Sequence, residues 1–170
     1  EKMLAALRQA GYRLAVATSK PTVFAKQILK RFGYLEYFDF VSGSELDGTH
    51  NQKWEVIAAA LEYFGVEPSC ALMIGDTRYD AEGAARCGVD CVGVLYGFGT
   101  RETLEKAGAV GIAESVAELQ SMLLRRPYRG DKMEETAQIN EIFRSCGIEE
   151  WGVCPFWAVK DALIPCRAMA

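Results

Sequence analysis

The stretch from Ala71 to Val89 limits the possible folds of this chain more than any other. An apolar run, ALMI, ends at Gly75 and is followed by the acidic residues Asp76 and Asp80. A small-residue segment then favours a helix, which Gly88 ends. A short apolar run that is closed by glycine and leads into a helix is typical of the βα unit of a parallel sheet. The stretch therefore predicts an α/β fold.

The two carboxylates of this stretch are candidate metal ligands. In parallel sheets the ligand site lies beyond the carboxyl ends of the strands. Asp76 sits at that end, and Asp80 follows one helical turn later. Together they form an oxygen-only corner that suits Mg²⁺. The alternative is that Asp76 caps the helix and Asp80 faces solvent.

A second apolar run places hydroxyl groups at a strand end. The run RLAVAT, from Arg13 to Thr18, predicts a strand, and Ser19 follows it. Hydroxyls and free backbone N–H groups at such a position can bind phosphate. Alternatively, Thr18 or Ser19 caps a helix that begins near Pro21.

Lys53 opens a strongly amphipathic helix whose apolar positions are Trp54, Ile57, Leu61 and Phe64. A cation at the N-terminus of a helix opposes the helix dipole. The position is tolerated where the lysine points at an anion, so Lys53 is a candidate phosphate ligand. The alternative is a solvated lysine.

The other predicted elements alternate along the chain. Further strands are expected at residues 37–42, 90–95 and 109–112, and further helices at residues 1–10, 22–32, 101–107 and 115–124. The glycine-rich turn at 96–100 lacks the Gly-Lys-Ser/Thr ending of a phosphate loop and is interpreted as a connection.

Composition limits the function classes. The 170 residues suffice for one domain with an appendage, and the net charge of −4 argues against a nucleic-acid surface. No apolar run is long enough to span a membrane. The six cysteines form no C-x-x-C pair, which favours reduced thiols in a cytoplasmic protein over a zinc site. The chain opens inside a helical pattern, so its first residue is not expected to be a natural start.

Three motifs in chain order carry a family resemblance: LAVATSKP with Thr18, Lys53 before a helix, and MIGDTRYDAEGA with Asp76 and Asp80. Residues 1–124 resemble the core of a haloacid dehalogenase superfamily phosphatase of the phosphoglycolate phosphatase or β-phosphoglucomutase type. The resemblance implies a Rossmann-like parallel sheet with flanking helices. It also implies Mg²⁺-dependent hydrolysis of a small phosphorylated metabolite through an aspartyl-phosphate.

The resemblance assigns roles to these residues. Thr18 and Ser19 would bind phosphate oxygens, and Lys53 would neutralise charge on the phosphoryl group and the nucleophile. Asp76 would bind Mg²⁺, and Asp80 would support or complete the metal site. Phosphoryl transfer depends mostly on positioning and charge compensation, which a metal and a lysine supply.

The family's first motif, D-x-D-x-T with the nucleophilic aspartate, is missing. The only similar segment is Glu45-Leu46-Asp47-Gly48-Thr49, which has Glu in place of the nucleophile and follows no long apolar strand. We therefore expect the central first strand and the cap domain to be absent, with a gap in the sheet. The chain alone is expected to be inactive, as a fragment or a module completed by a missing N-terminal segment or a partner chain.

Two other functions stay open. The first is a non-catalytic module that binds phosphate or Mg²⁺. A receiver-like domain is disfavoured, because its lysine would follow the acidic pair.

The second open function concerns the tail, where residues 125–132 predict a linker and residues 133–170 a short appendage. The tail faintly resembles the opening of epoxyqueuosine reductase-like iron–sulfur proteins without their C-x-x-C-x-x-C motif, which would make the chain a fusion. Within it, helices are expected at 133–146 and 159–164 and a strand at 150–154.

Overall fold

The computed structural model describes residues 1–124 and a strand at residues 156–159. Within these residues the strands form one parallel sheet of order β2-β1-β6-β3-β4-β5. The strands are β1 (Leu14–Pro21), β2 (Phe40–Ser44), β3 (Ala71–Gly75), β4 (Asp90–Val94), β5 (Gly111–Ala113) and β6 (Phe156–Val159).

Helices connect the successive strands, as a parallel sheet requires. They are α1 (Lys2–Gln9), α2 (Thr22–Arg31), α3 (Lys53–Phe64), α4 (Arg78–Arg86), α5 (Arg101–Lys106) and α6 (Val116–Leu124). Short 3₁₀ turns precede β2 and β3. The predicted α/β class, with a parallel sheet and flanking helices, is confirmed.

Alternation along the strands divides the core between the two faces of the sheet. Ala15 and Met73 belong to the apolar cluster that includes α3 and α4. Leu14 and Ile74 belong to the cluster that includes α1 and α6. All five residues of β3 are buried. Burial on both faces explains why the central strands are continuous apolar runs.

Strand β6 lies in the centre of the sheet, where the sequence predicts a gap. Its backbone pairs in parallel with β1 on one side and with β3 on the other. The expected gap is therefore filled by the tail of the same chain. Val159, predicted to begin a helix, is the last residue of this strand. The predicted linker at 125–132, the helix at 133–146 and the strand at 150–154 lie outside the described residues.

Element boundaries differ from the sequence-based expectations by a few residues. β1 extends to Pro21, and β2 occupies Phe40–Ser44 instead of beginning at residue 37. A 3₁₀ turn at Leu35–Tyr37 takes up the chain before β2. Within the described residues, no helix combines the length and the apolarity needed to cross a membrane.

A buried hydrogen bond ties the two ends of the described core together. The Tyr12 hydroxyl donates to the Leu123 carbonyl oxygen at 3.1 Å. By contrast, the buried hydroxyl of Tyr96 has no hydrogen-bond partner among the residues that the structure describes.

We predict different effects of the two Tyr→Phe substitutions on the free energy of unfolding. Tyr12→Phe should lower the free energy of unfolding by about 1 kcal/mol, because the Leu123 carbonyl loses its donor. Tyr96→Phe should be neutral or stabilising, because it removes a buried hydroxyl that forms no hydrogen bond with the described residues. Urea unfolding of both variants measures the difference; an equal loss in both would contradict the prediction.

Candidate active site

The site residues lie where β1, β3 and β4 end and where α3 and α4 begin. Thr18 is near the end of β1, Asp76 directly follows β3, and Lys53 is the first residue of α3. These strand ends meet at one edge of the parallel sheet, which is where ligands bind in this class of fold.

Lys53 is a buried cation. Its side chain is 5% exposed, and its Nζ donates to the Ala17 carbonyl oxygen at 2.9 Å. The same nitrogen lies 3.2 Å from Asp80 Oδ1, and the Asp80 side chain is fully buried. The interpretation of Lys53 as a solvated lysine is therefore wrong, since its ammonium group joins the middle of β1 to the start of α4.

Asp80 organises the turn that follows Asp76. Its Oδ2 accepts hydrogen bonds from the Thr77 backbone N–H at 2.9 Å and from the Thr77 hydroxyl at 2.8 Å. Thr77 is the N-cap of α4, and these bonds are part of a capping box. The alternative in which Asp76 caps the helix and Asp80 is solvated is therefore wrong.

Asp76 is held by the loop after β4. It is 3% exposed, and its Oδ2 accepts a hydrogen bond from the Phe98 backbone N–H at 3.1 Å. The Gly99 N–H donates to the Asp76 carbonyl oxygen at 2.7 Å. The turn at 96–100, interpreted from the sequence as a connection, thus also fixes the carboxylate.

Three glycines allow this cluster to pack closely. A Cβ added at Gly75 would lie 2.2 Å from Asp80 Cβ, and one at Gly97 would lie 2.2 Å from Asp76 Cβ. A Cβ at Gly83 would lie 2.6 Å from Lys53 Cγ. No side chain larger than hydrogen fits at these positions without moving a site residue. From the sequence, Gly75 is expected only to end a strand, and Gly83 and Gly97 give no local signal of these contacts.

Tyr96 stays a neutral phenol beside the site. Burial raises its pKa to about 12, and the nearby negative charge of Asp76 acts in the same direction. The ring therefore adds no charge to the cluster at neutral pH.

Thr18 and Ser19 lie in an irregular part of β1. Pairing with β2 is shifted between Ala17 and Pro21. Thr18 is buried, and its Oγ1 accepts a hydrogen bond from the Lys20 N–H at 3.2 Å. Ser19 is exposed, and its carbonyl oxygen accepts from the Ser44 hydroxyl at 3.1 Å. No side chain caps α2, so the capping interpretation of these hydroxyls is wrong.

The segment from Glu45 to Thr49 forms an exposed turn that closes on itself. Asp47 Oδ1 accepts hydrogen bonds from the Thr49 N–H at 2.9 Å and the Thr49 hydroxyl at 2.7 Å. The backbone bond, helped by the hydroxyl, lowers the pKa of Asp47. These contacts give Asp47 a local structural role.

The arrangement places one ammonium group and two carboxylates together at the sheet edge. A buried ammonium group lies against the carboxylate of Asp80, and Asp76 follows the neighbouring strand. Within residues 1–124 and 156–159 no three His, Cys, Asp or Glu side chains group as a ready metal cage. Mg²⁺ is commonly held by one or two carboxylates with water and phosphate oxygens as the other ligands, so the donor set present fits it.

The buried ion pair yields a prediction about stability. Lys53→Met should lower the free energy of unfolding by about 3 kcal/mol, because the Asp80 carboxylate stays buried without its cation. Adding Asp80→Asn should recover part of this loss, so the double variant should cost at least about 1 kcal/mol less than the sum of the single variants. Urea unfolding of the four proteins measures the coupling.

The matched control is the exposed ion pair on α5. Lys106 Nζ lies 2.7 Å from Glu102 Oε1, but both side chains are about three-quarters exposed, at 74% and 76%. Lys106→Met should leave the unfolding midpoint unchanged. Additive losses at Lys53 and Asp80 would show that the ion pair does not couple them.

Comparison with known proteins agrees with this geometry. The sequence profile of haloacid dehalogenase-like hydrolases matches residues 1–94. The chain is 42% identical to a 5'-nucleotidase of Pseudomonas aeruginosa over 122 residues, covering 72% of this chain and 55% of that protein. It is 32% identical to a phosphoglycolate phosphatase of Vibrio vulnificus over 126 residues, covering 73% and 54%.

Solved structures lead to the same result. A predicted phosphatase from Clostridium acetobutylicum superposes with a TM-score of 0.71 at 46% identity, covering 72% of this chain and 57% of that one. The chain spans about half the length of the curated relatives it matches. Profile, relatives and fold agree with the resemblance inferred from the motifs. The chain belongs to the haloacid dehalogenase-like hydrolase family.

Proposed function

We propose that this chain carries most of the active site of a Mg²⁺-dependent phosphatase that acts on small phosphate monoesters. The observation that carries the proposal is the buried Lys53–Asp80 ion pair next to Asp76 at the carboxyl edge of the sheet. A buried cation beside paired carboxylates is suited to hold a doubly charged phosphoryl group together with a metal.

The proposal gives each residue a specific task. Lys53 orients toward the phosphoryl group because the Ala17 carbonyl and Asp80 restrict its position. Thr18 and the exposed Ser19 offer hydroxyl and backbone donors to phosphate oxygens at the irregular end of β1. Asp80 acts through its neighbours, since its two oxygens contact Lys53 and Thr77.

Asp76 is the residue best placed to hold Mg²⁺ directly. It directly follows a buried strand, and the Phe98 N–H fixes one of its oxygens. A bound Mg²⁺ supplies charge neutralisation and orients a phosphate oxygen. The residues of the chain keep the carboxylate rigid and exclude water from its buried side.

The relatives suggest the substrate class. The names 5'-nucleotidase and phosphoglycolate phosphatase both describe enzymes for small phosphate monoesters. The family resemblance implies an aspartate nucleophile, and we propose that it comes from outside the described residues. A segment that precedes Glu1, or a partner chain, would supply it.

A non-catalytic phosphate-binding module is the second candidate, since it needs the same residues but no nucleophile. The fusion with an iron–sulfur reductase fragment depends on residues 133–170, of which only the backbone of β6 is described. The described residues therefore lend it no support.

The metal proposal is tested by Asp76→Asn. Calorimetric titration of Mg²⁺ in the presence of inorganic phosphate should show an affinity at least about tenfold weaker in this variant, because a charged ligand becomes neutral. Asp90→Asn is the matched control, since Asp90 lies at the start of β4 and thus at the other end of the sheet. Equal affinity of Asp76→Asn and the unaltered chain would overturn the assignment.

The nucleophile proposal is tested by turnover. The chain alone should hydrolyse p-nitrophenyl phosphate with Mg²⁺ no faster than buffer, and adding a segment with the D-x-D-x-T motif should raise the rate. Activity of the chain alone that disappears in Asp47→Asn would show that the exposed turn holds the nucleophile. Binding without turnover in every mixture would select the non-catalytic module.

A further inference from the structure

The centre of the sheet contains a slot with a strand-pairing edge on each side. β1 pairs with β2 on its outer side, and β3 pairs with β4 on its outer side. Their inner edges face each other across the position that β6 occupies. Adjacent strands are about 4.8 Å apart, so such a slot accepts one extended segment.

The backbone register shows how β6 fits this slot. Trp157 is level with Leu14 on one side and Leu72 on the other. Ala158 is level with Ala15 and Met73. Leu14 and Leu72 belong to one apolar cluster, and Ala15 and Met73 belong to the cluster on the opposite face. The backbone of β6 therefore keeps a single register with both neighbouring strands, without a one-residue slip.

Two features distinguish β6 from the other strands of the sheet. It follows α6 only after the long segment 125–155, whereas helices directly join the other strands. Its run FWAV is uninterrupted and apolar, a pattern typical of the central strands of parallel sheets. Pairing on both edges satisfies backbone groups that would otherwise be buried without partners.

We infer that the slot between β1 and β3 is a strand-binding site and that its occupant is β6 of the same chain, bound by β-strand addition. Main-chain hydrogen bonds supply affinity in this mode of recognition, and the apolar residues of β1 and β3 on either side supply specificity for an apolar segment. The tail is then held by non-covalent contacts that survive a break in the connecting segment.

One consequence rests on the proposed function. A strand that delivers a nucleophilic carboxylate between β1 and β3 has to displace β6, because the slot has room for one strand. The tail would compete with that strand and keep the site incomplete.

The test is a cut in the full chain. A protease site inserted in residues 125–132 permits cleavage after folding, and size-exclusion chromatography then shows whether residues 133–170 remain with the body. We expect co-elution at the mass of one chain. Separation of the tail from the cleaved protein would overturn the proposal, and elution at twice that mass would overturn the assignment of β6 to the same chain.

A proline variant tests whether β6 is the element that holds the cleaved tail to the rest of the protein. Ala158→Pro removes a backbone donor in the centre of β6, so the cleaved tail should dissociate. Ala168→Pro, the same change outside the strand, should leave the tail bound. Retention of the tail in both variants would refute strand addition. If Ala158→Pro fails to fold before cleavage, the cut in the unaltered chain still decides. The readout involves neither phosphate nor Mg²⁺, so it is independent of the proposed activity.

Discussion

The ion pair between Lys53 and Asp80 is the interaction on which the candidate site depends. Removing both charges from water costs several kcal/mol for each ion, and only good geometry offsets this cost. The geometry is present, because the Ala17 carbonyl accepts from the ammonium group and Thr77 donates twice to the carboxylate. The pair therefore fixes the starts of two helices against the middle of β1.

The charges at this edge of the sheet also explain its chemistry. One buried ammonium group faces Asp80, and Asp76 adds a second carboxylate close by. A phosphate dianion would bring further negative charge to a cluster that already has more anions than cations. Under the proposed function, a divalent cation bound with the phosphate would offset this excess of negative charge.

Most of the sheet, and the position of the candidate site residues at one of its edges, could be predicted from sequence, because both depend on local patterns. The runs ending at Thr18 and Gly75 predicted buried parallel strands, and Lys53 opposed its helix dipole for a reason that the structure makes clear. The close contacts of Gly83 and Gly97 were not predictable, since each is made with a residue far away in the chain. The identity of a residue as glycine indicates conformational freedom, but it does not indicate which side chain will pack against it.

The position of β6 escaped prediction for a related physical reason. The segment FWAV is short and apolar, and such a run fits a strand or part of a buried helix equally well from its own residues. Its structure depends on pairing with the inner edges of β1 and β3, and these strands lie far earlier in the chain. A parallel sheet buries both faces, so its central position must be filled by some strand. Strands β1 and β3 need a strand between them, but their own residues do not indicate which segment it is. In this structure residues Phe156–Val159 of the same chain occupy that position.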